Sequence, residues 1–428
     1  MKRLFLAVAL AATAIAVVGF AGSSSASQQK TIKITMWHGQ VDVAGKTMDK
    51  LAARFNKTHP GIEVVAEQGG STDEMVTKLQ TALEGGVYPD IVYIYGSDLP
   101  NVAQAAQVVD ITKNIKKTGF DWNGLYPAGR ITAKADGKVV GFPAVIDNLA
   151  VVYNRKLFRA KHVPFPKASW TWDDFRATAK KLTDANKGIY GTGWPGAGLE
   201  DTVWRFWPLL WQQGGDALDP SNKKAEFNSP AGIKALTLIQ TMARKDKSLY
   251  VDPSTDSSKM YGLLKSGKIA MQMTGPWELP ELTDPSVKLD YGVQLLPSYG
   301  GSHETISGPD VYVALSHKDD ARLQATVDFL AWLHEPQQDL EWALGSGTLP
   351  LSPATSKLPG FAKYTKLLPG VGLFVKNLAN AKHIRPPVPQ YTELSLDLGK
   401  AMASVMIGKS EPKAALDDAA KKVDSLLK

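Results

Sequence analysis

Strand-like and helix-like segments alternate over the first hundred residues, and this alternation constrains the fold more than any other feature. Apolar runs typical of strands occur at 31–37, 62–67 and 90–95. Between them, apolar residues recur at helical spacing in 48–55 and 75–83. A β-α-β-α-β order predicts parallel strands joined by right-handed helical crossovers, and therefore an α/β fold with helices on both faces of the sheet.

The same alternation resumes in the second half of the chain. Further strands are predicted at 139–143, 150–153, 268–273, 291–296 and 311–315. Thr171 followed by Asp174 is typical of a capping box that opens a helix. A last helix is predicted to begin near 410–412, with a buried face formed by Leu416, Ala420, Val423 and Leu427. A chain of 428 residues has room for two or more domains.

Ligands of open α/β sheets bind beyond the carboxyl ends of the strands. Residues that directly follow a predicted strand are therefore candidates for a binding site. The candidate segments are 38–42, which includes Gln40, then 68–71, and finally 95–98, which includes Tyr95, Ser97 and Asp98. The sequence predicts that these side chains meet at one edge of a sheet.

Tryptophan is the most informative residue type in this chain. Six of the 11 tryptophans fall between 170 and 211. Trp204, Trp207 and Trp211 have the i, i+3, i+7 spacing of one helical face, which predicts that at least some of them are core residues. Trp277 differs, because it follows a predicted strand and a Gly-Pro turn. Rigid aromatic faces at such an edge suit the apolar face of a sugar ring.

Two sequences that match phosphate-binding loops lack the context such loops need. The segment 191–196 fits G-x-G-x-x-G, but its Trp194 and Pro195 indicate a turn without a βαβ unit around it. The segment 262–268 fits G-x-x-x-x-G-K, but Ile269 stands where a hydroxyl is required, so a turn before a strand is expected. We therefore predict no nucleotide cofactor.

Other catalytic and metal-binding classes are constrained by composition. The chain has no cysteine, which excludes thiol chemistry and disulfides, and its 7 histidines show no metal-ligand spacing. The formal net charge of +7 is scattered along the chain, without the basic tract that a nucleic-acid interface needs. A glycosidase pair remains open, and Asp147 with Glu278 is the preferred candidate.

The first residues are predicted to be a signal peptide that covers 1–26. Lys2 and Arg3 precede an apolar run at 4–20, and small residues at 24–26 form a cleavage site. We therefore expect an exported, soluble protein in a periplasm. Without a cysteine at the cleavage site, no thioether lipid anchor is expected.

Several motifs in order resemble the family 1 extracellular solute-binding proteins of ABC importers. The similarity covers nearly the whole predicted mature chain, and its main signature is 265–271 followed by Gly275, Pro276 and Trp277. Further matching segments are 89–92, 141–143, 148–149, 153–154, 171–175 and 291–293. The resemblance implies a two-lobed α/β protein, each lobe a mainly parallel sheet flanked by helices. It also implies a ligand between the lobes, which close by a hinge and present it to membrane permease subunits.

Two groups within this family indicate two alternative classes of ligand. Trp277, Asp147 and Trp204 resemble the sugar-contacting positions of the maltose-binding members. The segments 35–38, 307–308 and 349–350 instead resemble the glycerol-3-phosphate-binding members. This chain departs from the latter group at Asp147, Asn148, Trp277 and Thr348, and a carboxylate at 147 would repel a phosphate. A neutral sugar or short oligosaccharide is therefore predicted. Glycerol 3-phosphate or a glycerophosphodiester is the alternative, and a secreted carbohydrate-active enzyme is less expected.

The resemblance also implies the lobe limits and the ligand contacts. Lobe one is expected at 27–146 plus 309–346 and lobe two at 147–308 plus 347–428, with crossings near 145–149, 307–310 and 345–353. The predicted ligand-binding residues are Trp277, Trp204, Tyr95, Asp147, Asn148, Asp310, Gln40, Gly308, Ser97, Asp98, Arg385 and Tyr391. For Arg385 and Tyr391, a proline-rich surface loop remains an equal alternative. We expect a monomer that binds a carbohydrate and the permease, without a cofactor, a metal or a catalysed reaction.

Overall fold

The computed structural model describes residues 31–255, 258–287 and 289–428, so the predicted signal peptide lies outside the described residues. The strands are β1 Ile32–His38, β2 Ile62–Gln68, β3 Ile91–Tyr95, β4 Lys134–Ala135, β5 Lys138–Val139, β6 Gly141–Val145, β7 Ala150–Asn154, β8 Tyr190–Pro195, β9 Leu249–Asp252, β10 Ile269–Thr274, β11 Tyr291–Gln294, β12 Thr305–Ile306, β13 Asp310–Ala314 and β14 Ala381–His383.

Helices connect and cover these strands. They are α1 Asp42–Thr58, α2 Thr72–Glu84, α3 Leu99–Val102, α4 Thr112–Thr118, α5 Pro127–Thr132, α6 Arg155–Ala160, α7 Trp172–Leu182, α8 Glu200–Trp204, α9 Trp207–Trp211, α10 Pro230–Gln240, α11 Ser258–Lys265, α12 Leu279–Thr283, α13 Asp320–Leu333, α14 Pro336–Ser346, α15 Pro353–Ser356, α16 Phe361–Leu367, α17 Val371–Asn377, α18 Tyr391–Met406 and α19 Pro412–Leu426. In the described part of the chain, no helix has the length and apolar character needed to cross a bilayer.

The architecture is the predicted two-lobed α/β fold with a five-stranded sheet in each lobe. The first sheet has the order β2-β1-β3-β13-β6, and the second has the order β11-β7-β10-β8-β9. In the first sheet β1 is parallel to β2 and β3, whereas β13 is antiparallel to β3 and β6. In the second sheet β8, β9 and β10 are parallel, whereas β7 is antiparallel to β10 and β11. Each sheet is therefore mainly parallel with one reversed strand.

Both faces of the first sheet are buried, because successive side chains along each strand point to opposite faces. In β3, Ile91 and Tyr93 belong to one apolar cluster, and Val92 and Ile94 belong to the cluster on the opposite face. Side chains alternate across a strand, so a continuous apolar run supplies both clusters. This arrangement confirms the expected sheet with helices on both sides, and it leaves the strand ends as the place for polar side chains.

The core of the second lobe contains the tryptophan-rich region. Trp172 and Trp207 are buried, and Trp207 stacks near Trp211 with ring centroids 6.2 Å apart. The spacing predicted one helix for Trp204, Trp207 and Trp211, but the structure has two short helices, α8 and α9, with a break between them. Pro208 explains the break, because proline lacks a backbone N–H and favours the first turn of a new helix.

A second difference concerns the segment 191–196, for which the sequence predicted a turn. The structure instead forms β8 here, parallel to both β9 and β10. Gly191 is needed because a Cβ atom at this position would lie 2.1 Å from the carbonyl oxygen of Ala179. The glycines therefore permit close packing of a buried strand, and Pro195 is tolerated as its last residue.

Helix ends agree closely with the sequence. Thr171 and Asp174 form the predicted capping box at the start of α7. The last helix begins at Pro412 and buries Leu416, Ala420 and Val423, as predicted, whereas Leu427 follows the last helical residue and is only partly buried. The segment that ends α11 also makes the expected turn before β10.

The three segments in which the chain was expected to cross between lobes lie side by side. The backbone N–H of Leu349 donates to the carbonyl oxygen of Ile146 at 3.0 Å. The Ser307 hydroxyl donates to the carbonyl oxygen of Asp147 at 3.1 Å. The strands of the two sheets fall in the residue ranges expected for the two lobes, while the exact lobe limits remain a prediction.

Candidate functional site

A cavity of about 220 Å³ lies between the two sheets. Its walls come from both lobes and include the carboxyl-end segments of β1, β3, β8 and β10. Eight of the twelve predicted ligand-binding residues line it: Gln40, Tyr95, Asp147, Trp204, Trp277, Gly308, Asp310 and Arg385. Residues that are distant in sequence therefore meet in one cleft, as expected for a binding site beyond the carboxyl ends of the strands.

The reversed strands bring the chain crossings to the same edge. Because β13 is antiparallel to β3, its first residue, Asp310, pairs with Tyr95, the last residue of β3. Asp147 lies between β6 and β7, and its Oδ1 accepts a hydrogen bond from the Gly308 N–H at 3.0 Å. The two carboxyl groups therefore face the cleft from two adjacent crossings.

Trp204 and Trp277 form an aromatic pair on the second lobe. Their ring centroids lie 5.4 Å apart, with planes inclined by 41°. The Trp277 Nε1 donates to the Tyr261 hydroxyl at 3.0 Å, which fixes the ring in place. Gly275 is required here, because a Cβ atom would lie 1.8 Å from the Trp277 ring. The Gly-Pro-Trp motif thus folds its tryptophan back over its own glycine.

Arg385 is buried inside the cleft, so the surface-loop alternative for this residue is not what the structure shows. Its guanidinium carbon lies 5.0 Å from the Tyr95 ring centroid and 5.1 Å from that of Trp204. Its Nε donates to Glu200 Oε1 at 2.6 Å. Burial lowers the pKa of Arg385, but the neighbouring carboxylates outweigh this effect and raise it above its usual value. The residue is therefore a fixed positive charge between two aromatic rings.

Glu200 organises the group behind Arg385. Besides the arginine, it accepts hydrogen bonds from the Tyr391 hydroxyl at 3.0 Å and from the Ser395 hydroxyl. Tyr391 also accepts from the Trp207 Nε1 at 3.2 Å. Tyr391 does not line the 220 Å³ cavity, and it contacts the site through Glu200.

Burial raises the pKa of three carboxyl groups that line the cleft. Burial, followed by the nearby charge of Asp310, raises the pKa of Asp147 well above its usual value. Burial also raises the pKa of Asp310 to about 7, against the opposing influence of Arg385 and of the Tyr93 hydroxyl that donates to it at 2.5 Å. The pKa of Glu278, another lining residue, rises to about 7 by burial.

The pKa of Glu278 predicts a dependence of stability on pH. A glutamate has a pKa near 4.3 when unfolded, whereas the folded value is about 7. Between these values the folded state binds more protons, so stability falls as pH rises. We expect the unfolding free energy of the parent protein to fall relative to that of Glu278→Gln between pH 5 and pH 8, measured by urea denaturation without ligand. A difference that is independent of pH would contradict the raised pKa.

Asn148, Ser97 and Asp98 do not line the 220 Å³ cavity. The Asn148 side chain donates to the carbonyl oxygen of Phe374 at 2.9 Å and accepts from Asn377 at 2.7 Å. Its partners therefore differ from those of the preceding residue, Asp147, whose Oδ1 accepts from the Gly308 N–H. The hydrogen bonds of Asn148 tie the crossing to α17.

Ser97 and Asp98 line a second cavity of about 510 Å³, which Tyr95 and Glu200 also line. The Thr392 hydroxyl donates to Asp98 Oδ1 at 2.7 Å, which joins the end of β3 to α18. Burial raises the pKa of Asp98 to about 6. These two residues therefore contact the lobe interface behind the main cleft.

Sequence reasoning missed several residues that line the cleft. Among them are Tyr93, Glu200, Asp201, Tyr261, Ser346 and Thr348. Glu200 and Asp201 follow β8, so the strand-end rule would have selected them if 191–196 had been interpreted as a strand. The same rule could not find Tyr261, which lies on α11 and reaches the site through Trp277.

A two-lobed α/β fold with a buried polar and aromatic cleft between its sheets defines a ligand-binding protein of the hinged, two-lobed class. Residues 50–369 match the family of bacterial extracellular solute-binding proteins. The chain belongs to this family, as the sequence motifs predicted. No group of histidines and carboxylates suited to a metal ion occurs in the described ranges.

Relatives span nearly the whole chain. The sn-glycerol-3-phosphate-binding periplasmic protein UgpB of Pectobacterium atrosepticum is 25% identical, over 97% of this chain and 96% of its own length. Among solved structures, the ABC substrate-binding protein of Listeria monocytogenes in complex with cycloalternan is 25% identical, with a TM-score of 0.83 over 93% of this chain and 99% of its own. UgpB of Mycobacterium tuberculosis in complex with glycerophosphocholine shares the fold at 17% identity, with a TM-score of 0.82 over 92% and 98%.

Proposed function

We propose that the protein is the substrate-binding component of an ABC importer and captures a sugar or short oligosaccharide. The observation that carries this proposal is the aromatic pair Trp204 and Trp277, which shares one cavity with Asp147 and Asp310. Aromatic faces pack on the apolar faces of a sugar ring, and carboxyl groups hold its hydroxyls. The cavity is small compared with the usual range for ligand pockets, which favours a short ligand.

The proposed role follows that of the family. The lobes close on the ligand, and the closed form contacts permease subunits in the membrane. The protein acts as a monomer, is exported by its signal peptide and works in the periplasm. The relative from Listeria that binds cycloalternan supports a carbohydrate ligand for a cleft built on this fold.

Glycerol 3-phosphate or a glycerophosphodiester is the second candidate. The names of the UgpB relatives favour it, and so does the presence of Arg385 in the cleft, since arginine is well suited to phosphate. However, Glu200 already pairs with this arginine at 2.6 Å. Asp147, Glu278 and Asp310 line the same cavity, and in their ionised forms they would repel a phosphate.

We further propose that binding occurs without chemistry. Asp147 and Glu278, the pair considered for a glycosidase, both line the cavity. The family consists of binding proteins, and Asp147 is already hydrogen-bonded to the Gly308 backbone. A bound sugar should therefore be recovered intact after denaturation of the complex, measured by mass spectrometry. Recovery of a cleaved glycoside would favour the carbohydrate-active enzyme.

A thermal-shift screen of the mature protein tests the ligand class. The panel contains mono-, di- and trisaccharides, glycerol 3-phosphate and glycerophosphocholine. A ligand present at 100 times its Kd adds about 2.7 kcal/mol of stability, which is readily detected. Stabilisation by sugars alone supports the proposal, and stabilisation by glycerophosphates alone contradicts it.

Asp147→Asn distinguishes the two candidates by the sign of its effect. The amide oxygen can still accept from Gly308, but an NH₂ group replaces the second carboxyl oxygen. A sugar hydroxyl that donates to this oxygen would lose its acceptor, so we expect about 1–3 kcal/mol weaker binding. For a phosphate the added donor should leave binding equal or tighter. Calorimetry on the parent and the variant measures both cases.

A further inference from the structure

The cleft holds more buried carboxyl groups than cationic partners. Arg385 pairs with Glu200, and the buried Arg205 pairs with Asp201. Asp147, Glu278 and Asp310 line the same cavity, and no salt bridge to any of them occurs among the described residues. Burying a carboxylate without a cationic partner costs desolvation free energy. These groups are therefore either protonated in the empty cleft or paired with a positive charge of the ligand.

Two of these carboxyl groups have oxygens without a hydrogen-bond partner among the described residues: both oxygens of Glu278 and one oxygen of Asp310. Asp310 is 7% exposed, and its Oδ1 has no hydrogen-bond partner within the described part of the chain. Its other oxygen accepts from the Tyr93 hydroxyl. Buried acceptors in folded proteins are normally satisfied, so an unpartnered oxygen in a ligand cleft indicates that the ligand supplies the donor.

The aromatic side of the cleft is also suited to a cation. Arg385 already lies over the rings of Tyr95 and Trp204. Trp277 is only partly buried and lines the cavity, and no arginine or lysine of the described residues lies over its ring. The face of a tryptophan attracts a cation more strongly than that of other aromatic residues. A positive group beside Trp277 would therefore be attracted by the ring as well as by the carboxylates.

We propose that the natural ligand is a sugar or polyol that carries a protonated amine. The inference rests on the proposed function and names the substrate class of the same cleft. The ammonium group donates to Asp310 Oδ1 and provides the cationic partner that Asp147 and Glu278 lack. The sugar ring of the same ligand packs on Trp277. An ammonium group has three hydrogen-bond donors and a full positive charge, whereas a hydroxyl group has one donor and is neutral.

The weak acidity of the cleft agrees with this assignment. Burial raises the pKa of both Asp310 and Glu278 to about 7. Near neutral pH these carboxyl groups are therefore partly protonated in the empty cleft, and they can ionise when an ammonium arrives. A neutral ligand bound to the protonated carboxyl groups would gain only hydrogen bonds between neutral groups, which are about half as strong as charge-assisted ones.

Matched series of sugars test the inference on the mature full-length protein. Each series contains an amino sugar, its hydroxyl parent and its N-acetyl derivative: glucosamine, galactosamine and mannosamine with their counterparts. The N-acetyl form keeps the nitrogen but removes the charge. In at least one series we expect the amine to bind about tenfold to a hundredfold tighter than both neutral members, measured by calorimetry.

Variants locate the preference in the cleft. Asp310→Asn should remove most of the preference for the amine, while affinity for the hydroxyl parent changes far less. Glu278→Gln provides a second test if Asp310→Asn does not fold. Asp418→Asn, which removes an exposed carboxylate far from the cavity, is the matched control and should keep the preference.

The outcomes separate this inference from the proposed function. Equal or tighter binding of the neutral members overturns the inference but leaves a sugar-binding protein. Absence of amine binding in every series also overturns it. Binding of glycerol 3-phosphate with no sugar bound in any form contradicts the proposed function itself.

Discussion

Arg385→Met should destabilise the protein by about 3–5 kcal/mol, the range observed when one partner of a buried ion pair is removed. The variant keeps a long side chain between Tyr95 and Trp204 but leaves Glu200 without its cation. The pKa values of Asp147 and Asp310 should also rise further, because Arg385 holds both down. Urea denaturation at pH 7 measures the change.

A matched control uses an exposed arginine. Arg159 pairs with Asp290 at the surface, where the ion pair is screened by solvent. Arg159→Met should therefore change stability by no more than about 1 kcal/mol. A loss for Arg385→Met as small as that of the control would show that the buried guanidinium is not part of the network that holds the cleft together.

Trp277→Ala should weaken ligand binding by about 1.5–3 kcal/mol, or roughly tenfold to a hundredfold in Kd. The reason is that the substitution removes the indole face on which the sugar ring packs. The fold should persist, since Trp277 is only partly buried and its hydrogen bond to Tyr261 is local. Calorimetry with the tightest sugar of the screen measures the loss. Trp277→Phe should recover part of it, because the ring face remains.

Trp332→Ala is the control for this experiment. Trp332 packs on Phe55 and Phe329 in the first lobe and lines a different cavity. Its removal should lower stability without changing affinity. Unchanged affinity in a folded Trp277→Ala variant would remove this tryptophan from the ligand site.

The sequence predicts those parts of the site that follow from local pattern. Gln40 and Tyr95 were selected because they end or follow a strand, and both line the cleft. Asp147 and Asp310 required the family resemblance, since their positions depend on where the chain crosses between lobes. Asn148 shows the limit of this approach, because it directly follows Asp147 and yet its side chain bonds to Phe374 and Asn377 instead of lining the cleft.

Long-range contacts explain what the sequence did not reveal. Glu200 and Arg385 are separated by 185 residues, and no local pattern indicates that they pair. The glycines of β8 suggested a turn, although close packing against Ala179 was the reason for at least one of them. Local pattern cannot distinguish a glycine that bends the chain from one that permits contact with a neighbour.

The reversed strand β13 has a consequence for how the polypeptide matures. Among the described strands, β6 joins the first sheet only through β13, which lies beyond residue 309, whereas the strands of the second sheet fall between 150 and 294. During synthesis or refolding, the first sheet must keep the edge of β3 unpaired until that distant strand arrives. Of the two sheets, the one that begins the chain is therefore the last to be completed, and an arrested or truncated chain would leave the edge of β3 unpaired and prone to aggregation.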